Sequence, residues 1–373
     1  MIKILHVTTR HNVGGISKVI INLLSDEIFQ QNYLTGYCEN NEIEYSFNTN
    51  SINYNLYRVF HLRRSISVIN DFLAFVQIIR IMRFIRPDVV HTHMSKAGVL
   101  GRIAALFLFP RPKLIHSYHG HALENYFHRY LNLLFKLIEK KLGLITDVLQ
   151  FDGNLVLKEI QSFGIKPRLK SITIIPGSIN VLEPPKRIRN VSKIFHILVV
   201  GRIEPIKGID AVIQVASILR NQYQIENFEI TIVGDGSLRA KYEEISTRMG
   251  LPIQFTGWKA SVTNFYQNAD MFLSVSSNEG TPITFMEAAS FSLPIVAFNV
   301  GSVSDLVEHG KTGFLTNETD ELTKYIVHLY QNKLERIRLG RNARIKAKNE
   351  FMSKKFIDKQ RQIYLDVLSI TQN

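Results

Sequence analysis

Apolar and polar residues alternate along this chain in two periods, which follow each other in turn. Short, nearly continuous apolar runs are typical of buried strands, whereas apolar residues three and four apart, as at Ile16, Val19, Ile20 and Leu23, are typical of amphipathic helices. Strands that alternate with helices predict the α/β class with parallel, doubly wound sheets. The predicted strands are 2–8, 88–93, 113–119, 145–151, 171–175, 194–201, 229–234, 253–256, 271–275 and 294–298.

Helical patterns lie between most of these runs, and the composition changes at one place. Residues 182–190 are polar and basic and carry Pro184 and Pro185, which indicates a linker. We therefore predict two Rossmann-like domains, 1–180 and 191–352, joined by a linker at 181–190. The predicted helices are 16–24, 72–85, 97–107, 123–142, 208–221, 237–249, 262–267, 320–332, 334–350 and 353–368.

The composition limits the class of protein. A chain of 373 residues exceeds one typical core, which again favours two domains. The only cysteine, Cys38, excludes an intramolecular disulfide and fits a reducing, cytoplasmic compartment. The start reads as a strand rather than a signal peptide, and no run reaches 18 apolar residues, so we expect no membrane-spanning helix. The net charge of +13 favours an anionic partner: a membrane surface, a diphosphate or a nucleic acid.

One stretch, 276–289, carries two glutamates on either side of a predicted helix start. Thr281 is the predicted N-cap and Pro282 the first helical residue. Glu279 then lies in the loop and Glu287 about two turns into the helix, so both carboxylates could approach one ligand. The pattern indicates a polyhydroxylated, phosphorylated ligand, although two glutamates on a solvated helix explain it equally well. The N–H groups available to that ligand belong to Gly280, Thr281 and Ile283.

Further candidates follow other predicted strands, where open α/β sheets bind their ligands. Gly14 and Gly15 permit close approach of a phosphate or sugar, or else form only a tight turn. Arg202 and Lys207 could bind a diphosphate, although their loop lacks the spacing of an ATP-binding P-loop. The alternative is two solvated loop charges.

Two more glycines, Gly234 and Gly257, also follow predicted strands. They would admit a nucleobase against the backbone. Trp258 lies next to Gly257, and for this single tryptophan packing is the more common role.

Histidines end two predicted strands of the first half. His119 could act as a base, a hydrogen-bond donor or a charge stabiliser, or could be structural. His91 and His93 share one face of their strand, which would admit a metal, but no cysteine or carboxylate cluster accompanies them. Because the chain also lacks an Asp-x-Asp pair, we expect no metal, and cations would neutralise a bound diphosphate.

Taken in order, these motifs resemble the retaining glycosyltransferases of family 4, which have the GT-B fold and use nucleotide-sugar donors. The resemblance extends over nearly the whole chain, and the segments 91–98 and 118–121 look similar to bacterial surface-polysaccharide transferases in particular. It implies two Rossmann-like domains that face a central cleft, with a last helix, 353–373, that completes the first domain. The motifs are Gly14-Gly15, 88–98, His119-Gly120-His121, Gly201-Arg202, Lys207-Gly208, Gly234-Asp235-Gly236 and Glu279-x7-Glu287.

The resemblance implies a role for each candidate residue. Arg202 and Lys207 would neutralise the donor diphosphate without a metal or cofactor, and Glu287 would bind the ribose hydroxyls. Glu279 would face the donor sugar, and His119 would lie near the reacting centre; these two and the two cations form the expected catalytic set. The other donor-side residues are Gly14, Gly15, Gly234, Gly257, Trp258, Gly280, Thr281, Pro282 and Ile283, and the acceptor-side candidates are His93, Lys96 and His121. The chain departs from the family pattern at Ser178, Asn180 and Ser302, where Gly, Asp and Gly are usual.

The implied enzyme is a hexosyl- or N-acetylhexosaminyltransferase that uses a UDP-sugar and retains the anomeric configuration. Its acceptor would be a lipid-linked glycan of capsule, O-antigen or exopolysaccharide synthesis. The basic first half, with aromatic and cationic residues interleaved at 127–141, fits a peripheral position on the anionic inner face of the plasma membrane. A core helix with a solvated basic side is the alternative interpretation of 127–141.

Two other functions also fit parts of the sequence. A GT-B UDP-sugar epimerase would share the donor motifs and need no acceptor. A basic nucleic-acid-binding protein would explain the charge, but no recognition motif for RNA or DNA accompanies it.

Overall fold

The computed structural model describes residues 1–12, 14–39, 44–45, 52–119, 129–177, 179 and 194–369. The chain forms two compact units. The N-terminal unit comprises Met1–Ser178 together with Ser353–Asn373, and the C-terminal unit comprises Ile179–Met352. Each unit has its own parallel sheet and its own apolar core, so the predicted α/β class with two doubly wound sheets is confirmed.

In the N-terminal unit, the described residues form a seven-stranded parallel sheet. The side chains on both faces of its central strands are mostly buried, as expected for a sheet covered by helices on both sides. The strands are β1 (Lys3–Thr8), β2 (Gln30–Thr35), β3 (Asn55–Arg58), β4 (Val89–His93), β5 (Lys113–Tyr118), β6 (Val148–Phe151) and β7 (Lys170–Thr173).

The strand order β3-β2-β1-β4-β5-β6-β7 reverses direction between β1 and β4. The connections from β1 and from β4 therefore leave toward opposite edges of the sheet. Such a switch point opens a crevice outside the carboxyl ends of the two strands, and ligands of open α/β sheets bind there. The register pairs His6 of β1 with His91 of β4, so side chains of the two strands meet below that crevice.

Helices cover both faces of this sheet. Contacts join the second helix to the third and the third to the fourth, while the last helix of the chain packs against the first. That last helix is further fixed to the unit by an ion pair of Arg361 with Asp26 and by a hydrogen bond between Tyr364 and His91. The helices are α1 (Gly15–Leu24), α2 (Val68–Ile85), α3 (Ser95–Ala105), α4 (Arg129–Ile145), α5 (Asn154–Ser162) and, after the C-terminal unit, α13 (Ser353–Ser369).

The described residues of the C-terminal unit form a six-stranded parallel sheet in the order β10-β9-β8-β11-β12-β13. Its switch point lies between β8 and β11, the two central strands. The strands are β8 (Phe195–Val200), β9 (Phe228–Val233), β10 (Ile253–Phe255), β11 (Met271–Ser274), β12 (Ile295–Phe298) and β13 (Gly313–Thr316).

Seven helices within the described residues surround this second sheet. The first of them buries Ile209, Val212, Ile213, Ala216 and Leu219, which recur at helical spacing and complete the core of the unit. The helices are α6 (Ile209–Asn221), α7 (Arg239–Arg248), α8 (Thr263–Asn268), α9 (Ile283–Ser290), α10 (Val303–Leu306), α11 (Thr319–Gln331) and α12 (Lys333–Glu350).

The sequence patterns missed five elements: β2, β3, β13, α5 and α10. In β2 the polar Gln31 and Asn32 are buried because their amides donate to the carbonyls of Asp26 and Ile4, so no alternation of apolar and polar residues is visible. Helix α2 begins at Val68 rather than at Phe72, because Ser67 caps it by accepting from the N–H of Asn70. The predicted linker 181–190 lies outside the described residues.

Among the described residues, no helix is both long and apolar enough to span a membrane.

Candidate functional site

A depression lies at the switch point of the C-terminal sheet, outside the carboxyl ends of β8 and β11. Its volume is about 280 Å³, including open solvent at its mouth. The floor is formed by apolar residues of the two strands. Its polar lining is supplied by Arg202, Lys207, Ser274, Ser276 and Glu279. Three of the four residues expected to act in catalysis are therefore together in one depression.

Lys207 and Glu279 form an ion pair inside this depression. The Lys207 Nζ donates to Glu279 Oε1 at 2.5 Å, and the Ser276 hydroxyl donates to the same oxygen at 2.6 Å. The Glu279 side chain is 11% exposed and the Lys207 side chain 24%, so the pair is partly shielded from water. Arg202 is exposed at the rim and leaves a second cation available to a ligand. The arrangement presents cationic donors that can bind an anion.

Two glycines bring the loops of the depression together. Gly208 has a positive φ of 64°, and a Cβ built on it would come within 2.3 Å of the Val275 carbonyl oxygen. Gly301 has a φ of 54°, and its Cβ would lie 1.6 Å from the carbonyl oxygen of Glu279. Only glycine fits such a close approach at a positive φ. Both glycines thus position the backbone on either side of the Lys207–Glu279 pair.

Glu287 lies on α9 and is held by a tyrosine of α8. The Tyr266 hydroxyl donates to Glu287 Oε2 at 2.9 Å. Burial, and then the charge of Glu287, raise the pKa of Tyr266 well above its usual range, so its hydroxyl stays a donor. Glu287 is half-buried and keeps a fixed carboxylate orientation.

The predicted start of α9 is wrong by one residue. Pro282 has extended backbone angles and is the N-cap, and the helix begins at Ile283 rather than at Pro282. Thr281 therefore precedes the cap instead of being it, and Gly280 lies in the loop. The N–H groups of this loop still precede a helix N-terminus, which favours anions and hydroxyls.

The ends of β9 and β10 meet at a second pair of glycines. The Gly234 N–H donates to the carbonyl of Gly257 at 3.0 Å, and a Cβ on Gly234 would lie 1.9 Å from the Gly201 carbonyl oxygen. These glycines therefore bring three strand ends close together. Trp258 is 47% exposed, so it lies at the surface of the unit rather than in its core.

In the N-terminal unit, Gly14 and Gly15 lie at the turn from β1 to α1. A Cβ on Gly14 would meet no atom within 4 Å, so there is open space beside this backbone. Across the switch point, Met94 connects β4 to α3 with a φ of 67° and a ψ of 157°, a conformation that non-glycine residues rarely adopt. Lys96 is held by Asp71 and by the carbonyl of Ser65, which anchors it at the start of α2.

His119 follows β5 and has both ring nitrogens hydrogen-bonded inside the unit. Its Nδ1 is 2.8 Å from Asp152 Oδ2, and its Nε2 is 3.0 Å from His93 Nδ1. The His119 side chain is 6% exposed and that of Asp152 is 7% exposed. A ring with both nitrogens committed in this way is better suited to stabilise charge than to accept a proton from a ligand. His121, the third acceptor-side candidate, lies outside the described residues.

The histidine network continues under the switch point. His93 Nε2 is 3.2 Å from His6 Nδ1, and His91 bonds Tyr364 and Ser117 through its two nitrogens at 2.7 Å each. Burial lowers the pKa of His6 to about 3 and holds the pKa values of His91 and His93 well below their usual range. These three rings are therefore neutral at physiological pH.

Possible ligand atoms of His6, His91 and His93 all lie within 4.8 Å of one another, so the cluster has the size of a metal site. A metal would need a free lone pair from each ring. Both nitrogens of His91 and of His93 already have hydrogen-bond partners. The residues therefore fit a hydrogen-bond network better than a metal site.

Three residues of these sites were missed by the sequence analysis: His6, Asp152 and Tyr266. His6 and Asp152 lie in or directly after strands of the same sheet as His119, and the position of Asp152 at a strand end was the available signal. Tyr266 reads as an apolar position of a short helix, and nothing local connects it with a glutamate 21 residues later.

Comparison with known proteins identifies the chain. A family model described as "Glycosyltransferase Family 4" matches residues 33–181, and one described as "Glycosyl transferases group 1" matches residues 184–346. The two models match one unit each, in consecutive order, and together they span most of the chain.

Characterised relatives and solved structures agree with these models. The chain is 28% identical to the UDP-Gal:alpha-D-GlcNAc-diphosphoundecaprenol alpha-1,3-galactosyltransferase of Escherichia coli, over 98% of this chain and 97% of that protein. It is 25% identical to the capsular polysaccharide biosynthesis glycosyltransferase CapM of Staphylococcus aureus, over 79% and 81% of the two chains. The structure of Anabaena Alr3699/HepE in complex with UDP superposes with a TM-score of 0.79 at 18% identity and covers 98% of this chain and 100% of that one, which shows the same fold. The chain therefore has the GT-B fold and belongs to the family 4 glycosyltransferases, also described as glycosyl transferases group 1, of the polysaccharide-biosynthesis type.

Proposed function

We propose that this glycosyltransferase moves a hexose or N-acetylhexosamine from a UDP-sugar to a hydroxyl of a lipid-linked glycan, with retention of configuration and without a metal ion. The product would be a precursor of a bacterial surface polysaccharide. The observation that carries the proposal is the depression at the switch point of the C-terminal sheet, where Arg202, Lys207 and Glu279 converge.

The diphosphate of the donor is the ligand that best fits this depression. As the bond between the sugar and the phosphate breaks, negative charge builds on the leaving diphosphate. Arg202 and Lys207 are fixed cations that would stabilise this charge where it develops, together with the helix N-terminus at Ile283. Because Lys207 is already paired with Glu279, the arriving phosphate would share its ammonium group with that carboxylate.

The nucleoside of the donor would be held by the neighbouring glutamate. A carboxylate binds two adjacent hydroxyls well, and the hydrogen bond from Tyr266 orients the carboxylate of Glu287 for such binding. The UDP-Gal in the printed name of the Escherichia coli relative and the UDP bound to the Anabaena protein support uridine as the base.

Retention of configuration would follow a front-face route. In that route the leaving phosphate itself assists deprotonation of the acceptor hydroxyl, and no protein nucleophile is needed. The pairing of Glu279 with Lys207 and Ser276 supports this route, because a carboxylate that is neutralised on one oxygen is a poor nucleophile. His119, with both nitrogens engaged, would contribute charge rather than act as a base.

A lipid-linked acceptor agrees with the surface of the N-terminal unit. Helix α2 buries Ala74, Ile78, Met82 and Ile85 and exposes a second face with both aromatic and cationic side chains. We call this exposed face the α2 face; it comprises Ile69, Phe72, Leu73, Arg80, Arg83 and Phe84. Helix α4, on the same side of the sheet, exposes Leu133, Leu134 and Leu137 next to Lys140 and Lys141. Apolar and basic side chains mixed on one surface favour anionic lipid.

The donor site is tested by titrating UDP into purified protein in a calorimeter, followed by turnover assays with UDP-sugars and lipid-linked acceptors. We expect the wild type to bind UDP, and Lys207→Ala to bind it roughly 10–100-fold more weakly, the usual effect of losing a hydrogen bond between charged groups. Glu287→Ala should bind UDP roughly 10-fold more weakly than the wild type. Comparison of the anomeric configuration of donor and product by NMR tests retention.

The matched control is Lys311→Ala. Lys311 also pairs with a glutamate of the C-terminal unit, Glu308, but its side chain is 65% exposed and lies outside the depression. Lys311→Ala should bind UDP with the same affinity as the wild type. Unchanged affinity and turnover in both Lys207→Ala and Glu287→Ala would refute the site, and inversion of the anomeric centre would refute the front-face route.

A further inference from the structure

One oxygen of Glu279 receives two hydrogen bonds of different kinds. The Lys207 ammonium and the Ser276 hydroxyl lie 2.5 and 2.6 Å from the same atom, Oε1. The two donors come from different loops of the C-terminal unit, since Lys207 precedes α6 and Ser276 follows β11. Glu279 would therefore stay bonded on one side if it lost its donor on the other.

The two donors differ in how freely they can move. Ser276 is 3% exposed, and its hydroxyl also lies 3.5 Å from that of Ser274. The next residue, Ser277, donates its backbone N–H to the Ile206 carbonyl at 2.9 Å, which fixes the backbone beside Ser276. Lys207 carries its ammonium on a flexible four-carbon stem, and its side chain is 24% exposed. The ammonium can thus change partner while the hydroxyl stays in place.

A diphosphate in this depression would bring a second anion to Lys207. An ammonium group has three N–H donors but only one positive charge. Two anions that approach it together repel each other, and the repulsion is strong where water is partly excluded. The Glu279 Oε1, which accepts from an ammonium and a hydroxyl, has the donors that a phosphate oxygen would take. A bound phosphate would therefore gain Lys207 at the expense of Glu279.

We propose that Glu279 occupies the anion position at Lys207 until the donor binds, and that Ser276 is a positioning residue that holds Glu279 when the ammonium turns to the diphosphate. This inference rests on the donor site in the function proposed above, and it adds an order of events to that site. Lys207 serves the carboxylate first and the diphosphate next, whereas Ser276 serves the carboxylate throughout. Glu279 then stays against the sugar while Lys207 stabilises the leaving group.

The competition is tested by titrating UDP into the full-length protein in a calorimeter. Glu279→Gln keeps the size of the side chain but removes its charge, so it should bind UDP roughly 3–10-fold more tightly than the wild type, the size expected for a partly exposed ion pair. In a Lys207→Ala background, the same substitution should lose most of this gain, because the shared cation is then absent.

The positioning role of Ser276 is tested by comparing UDP with a UDP-sugar. UDP-galactose, UDP-glucose and UDP-N-acetylglucosamine are titrated first, and the sugar that the wild type binds most tightly is used. Ser276→Ala should bind UDP within roughly 2-fold of the wild type but the UDP-sugar roughly 3–10-fold more weakly, because only the sugar depends on Glu279. For sugar transfer, kcat should fall roughly 10-fold. Ser276→Thr, which keeps the hydroxyl, should recover part of both losses.

A double-mutant cycle shows whether Ser276 acts through Glu279. In a Glu279→Ala background, Ser276→Ala should cause no further loss of UDP-sugar affinity or of kcat. Ser246→Ala is the matched control: Ser246 is also 3% exposed, but its hydroxyl donates to the Glu243 carbonyl within α7, at 3.0 Å. This control should leave both affinities and kcat unchanged, even if it lowers the Tm.

Three results would overturn the inference: UDP binding by Glu279→Gln that is no tighter than that of the wild type, a folded Ser276→Ala variant with wild-type kcat and UDP-sugar affinity, or an undiminished effect of Ser276→Ala in the Glu279→Ala background. If the wild type does not bind UDP, the donor site fails and the inference with it. If it binds UDP but transfers sugar from no nucleotide-sugar, the proposed function fails, and the titrations still decide the exchange at Lys207.

Discussion

Glu287 depends on Tyr266 for its orientation, and this dependence can be measured by removing one oxygen atom. Tyr266 is buried, stacks on Phe291 and packs against Phe272, so its ring will stay in place when its hydroxyl is removed. Tyr266→Phe should therefore fold normally. It should bind UDP roughly 3–10-fold more weakly, because one hydrogen bond to a carboxylate is lost.

The comparison of two ligands makes this prediction specific to the ribose. If Glu287 binds the ribose hydroxyls, the wild type should prefer UDP over 2′,3′-dideoxy-UDP, and Tyr266→Phe should lose part of that preference. Tyr242→Phe, a substitution of another buried tyrosine of the same unit, should not change it. Equal loss of affinity for both ligands in Tyr266→Phe would contradict the role of Glu287.

The backbone of Gly301 packs closely against the carbonyl oxygen of Glu279. A single methyl group added to Gly301 should therefore displace Glu279. The φ of 54° alone makes alanine unfavourable at this position, and its Cβ would collide with the carbonyl oxygen of Glu279. We expect Gly301→Ala to lose roughly 1–3 kcal/mol of stability. The variant should also bind UDP-sugars more weakly than it binds UDP, since Glu279 faces the sugar in our proposal.

Gly310→Ala is the control that separates the backbone strain of a positive φ from the collision of an added Cβ. Gly310 also has a positive φ, 72°, but a Cβ there would meet no atom within 4 Å. Thermal unfolding should therefore show a loss of stability in both variants, whereas calorimetry should show weaker binding of UDP-sugar only in Gly301→Ala. Equal binding by the two variants would show that the collision is relieved without moving Glu279.

At the scale of elements, a buried ionic network connects α3, β5 and α4. Glu139 of α4 accepts from Arg102 of α3 at 2.6 Å and from the Tyr118 hydroxyl of β5 at 2.5 Å. Arg102 also donates to the carbonyl of Gly98. Arg102, Tyr118 and Glu139 are each at most 3% exposed. The network holds α4 against the sheet, so the surface that α4 exposes has a fixed position on the N-terminal unit.

Removal of one charge should therefore be costly. Glu139→Gln leaves Arg102 as a buried cation without a counter-charge. We expect the free energy of unfolding of the N-terminal unit to fall by about 3–5 kcal/mol. Urea unfolding, monitored by hydrogen exchange in β5, measures this loss. Asp366→Asn breaks an ion pair with Lys170 in the same unit, but both side chains are about 40% exposed, and it should cost roughly 0–1 kcal/mol. A cost below 1 kcal/mol for Glu139→Gln would mean that Arg102 finds another partner.

The elements that were predicted from the sequence share one property: their buried residues are apolar and recur at regular spacing along the chain. Strands such as β8 and β11 are apolar on both faces and are visible as runs. By contrast, β2 is buried through amide hydrogen bonds and shows no alternation, and α5 is a nine-residue helix whose buried residues, Val156 and Ile160, are too few to establish a period. The same reason explains the sites. Arg202, Lys207 and Glu279 lie at strand ends, which a sequence reveals, whereas the pairing of Asp152 with His119 or of Tyr266 with Glu287 exists only after folding.

At the scale of the whole molecule, the charge of +13 and the exposed apolar side chains of the N-terminal unit predict binding to anionic membranes. Each basic residue near such a surface contributes about 1 kcal/mol, so the double variant Arg80→Glu, Arg83→Glu on the α2 face should reduce binding at least about 10-fold. Flotation with phosphatidylglycerol vesicles at low and at physiological salt measures this.

The control carries the same change of net charge in the C-terminal unit. Arg341 and Lys348 are exposed on one face of α12, and their replacement by glutamate should leave vesicle binding close to that of the wild type. Equal losses in the two double variants would show that net charge alone drives binding, and no flotation of the wild type would remove the membrane from the proposal.

Helix α13 has a consequence for the order in which the protein folds during synthesis. It follows the whole C-terminal unit in sequence, yet it supplies Arg361 to Asp26 and Tyr364 to His91 in the first unit. At the usual rate of translation, on the order of ten seconds or more pass between synthesis of residue 178 and synthesis of α13. During this interval Asp26 lacks its ion pair and His91 one of its hydrogen bonds, while all residues of the C-terminal unit become available. The C-terminal unit can thus complete its core first, and the N-terminal unit, though synthesised earlier, is the last to be finished.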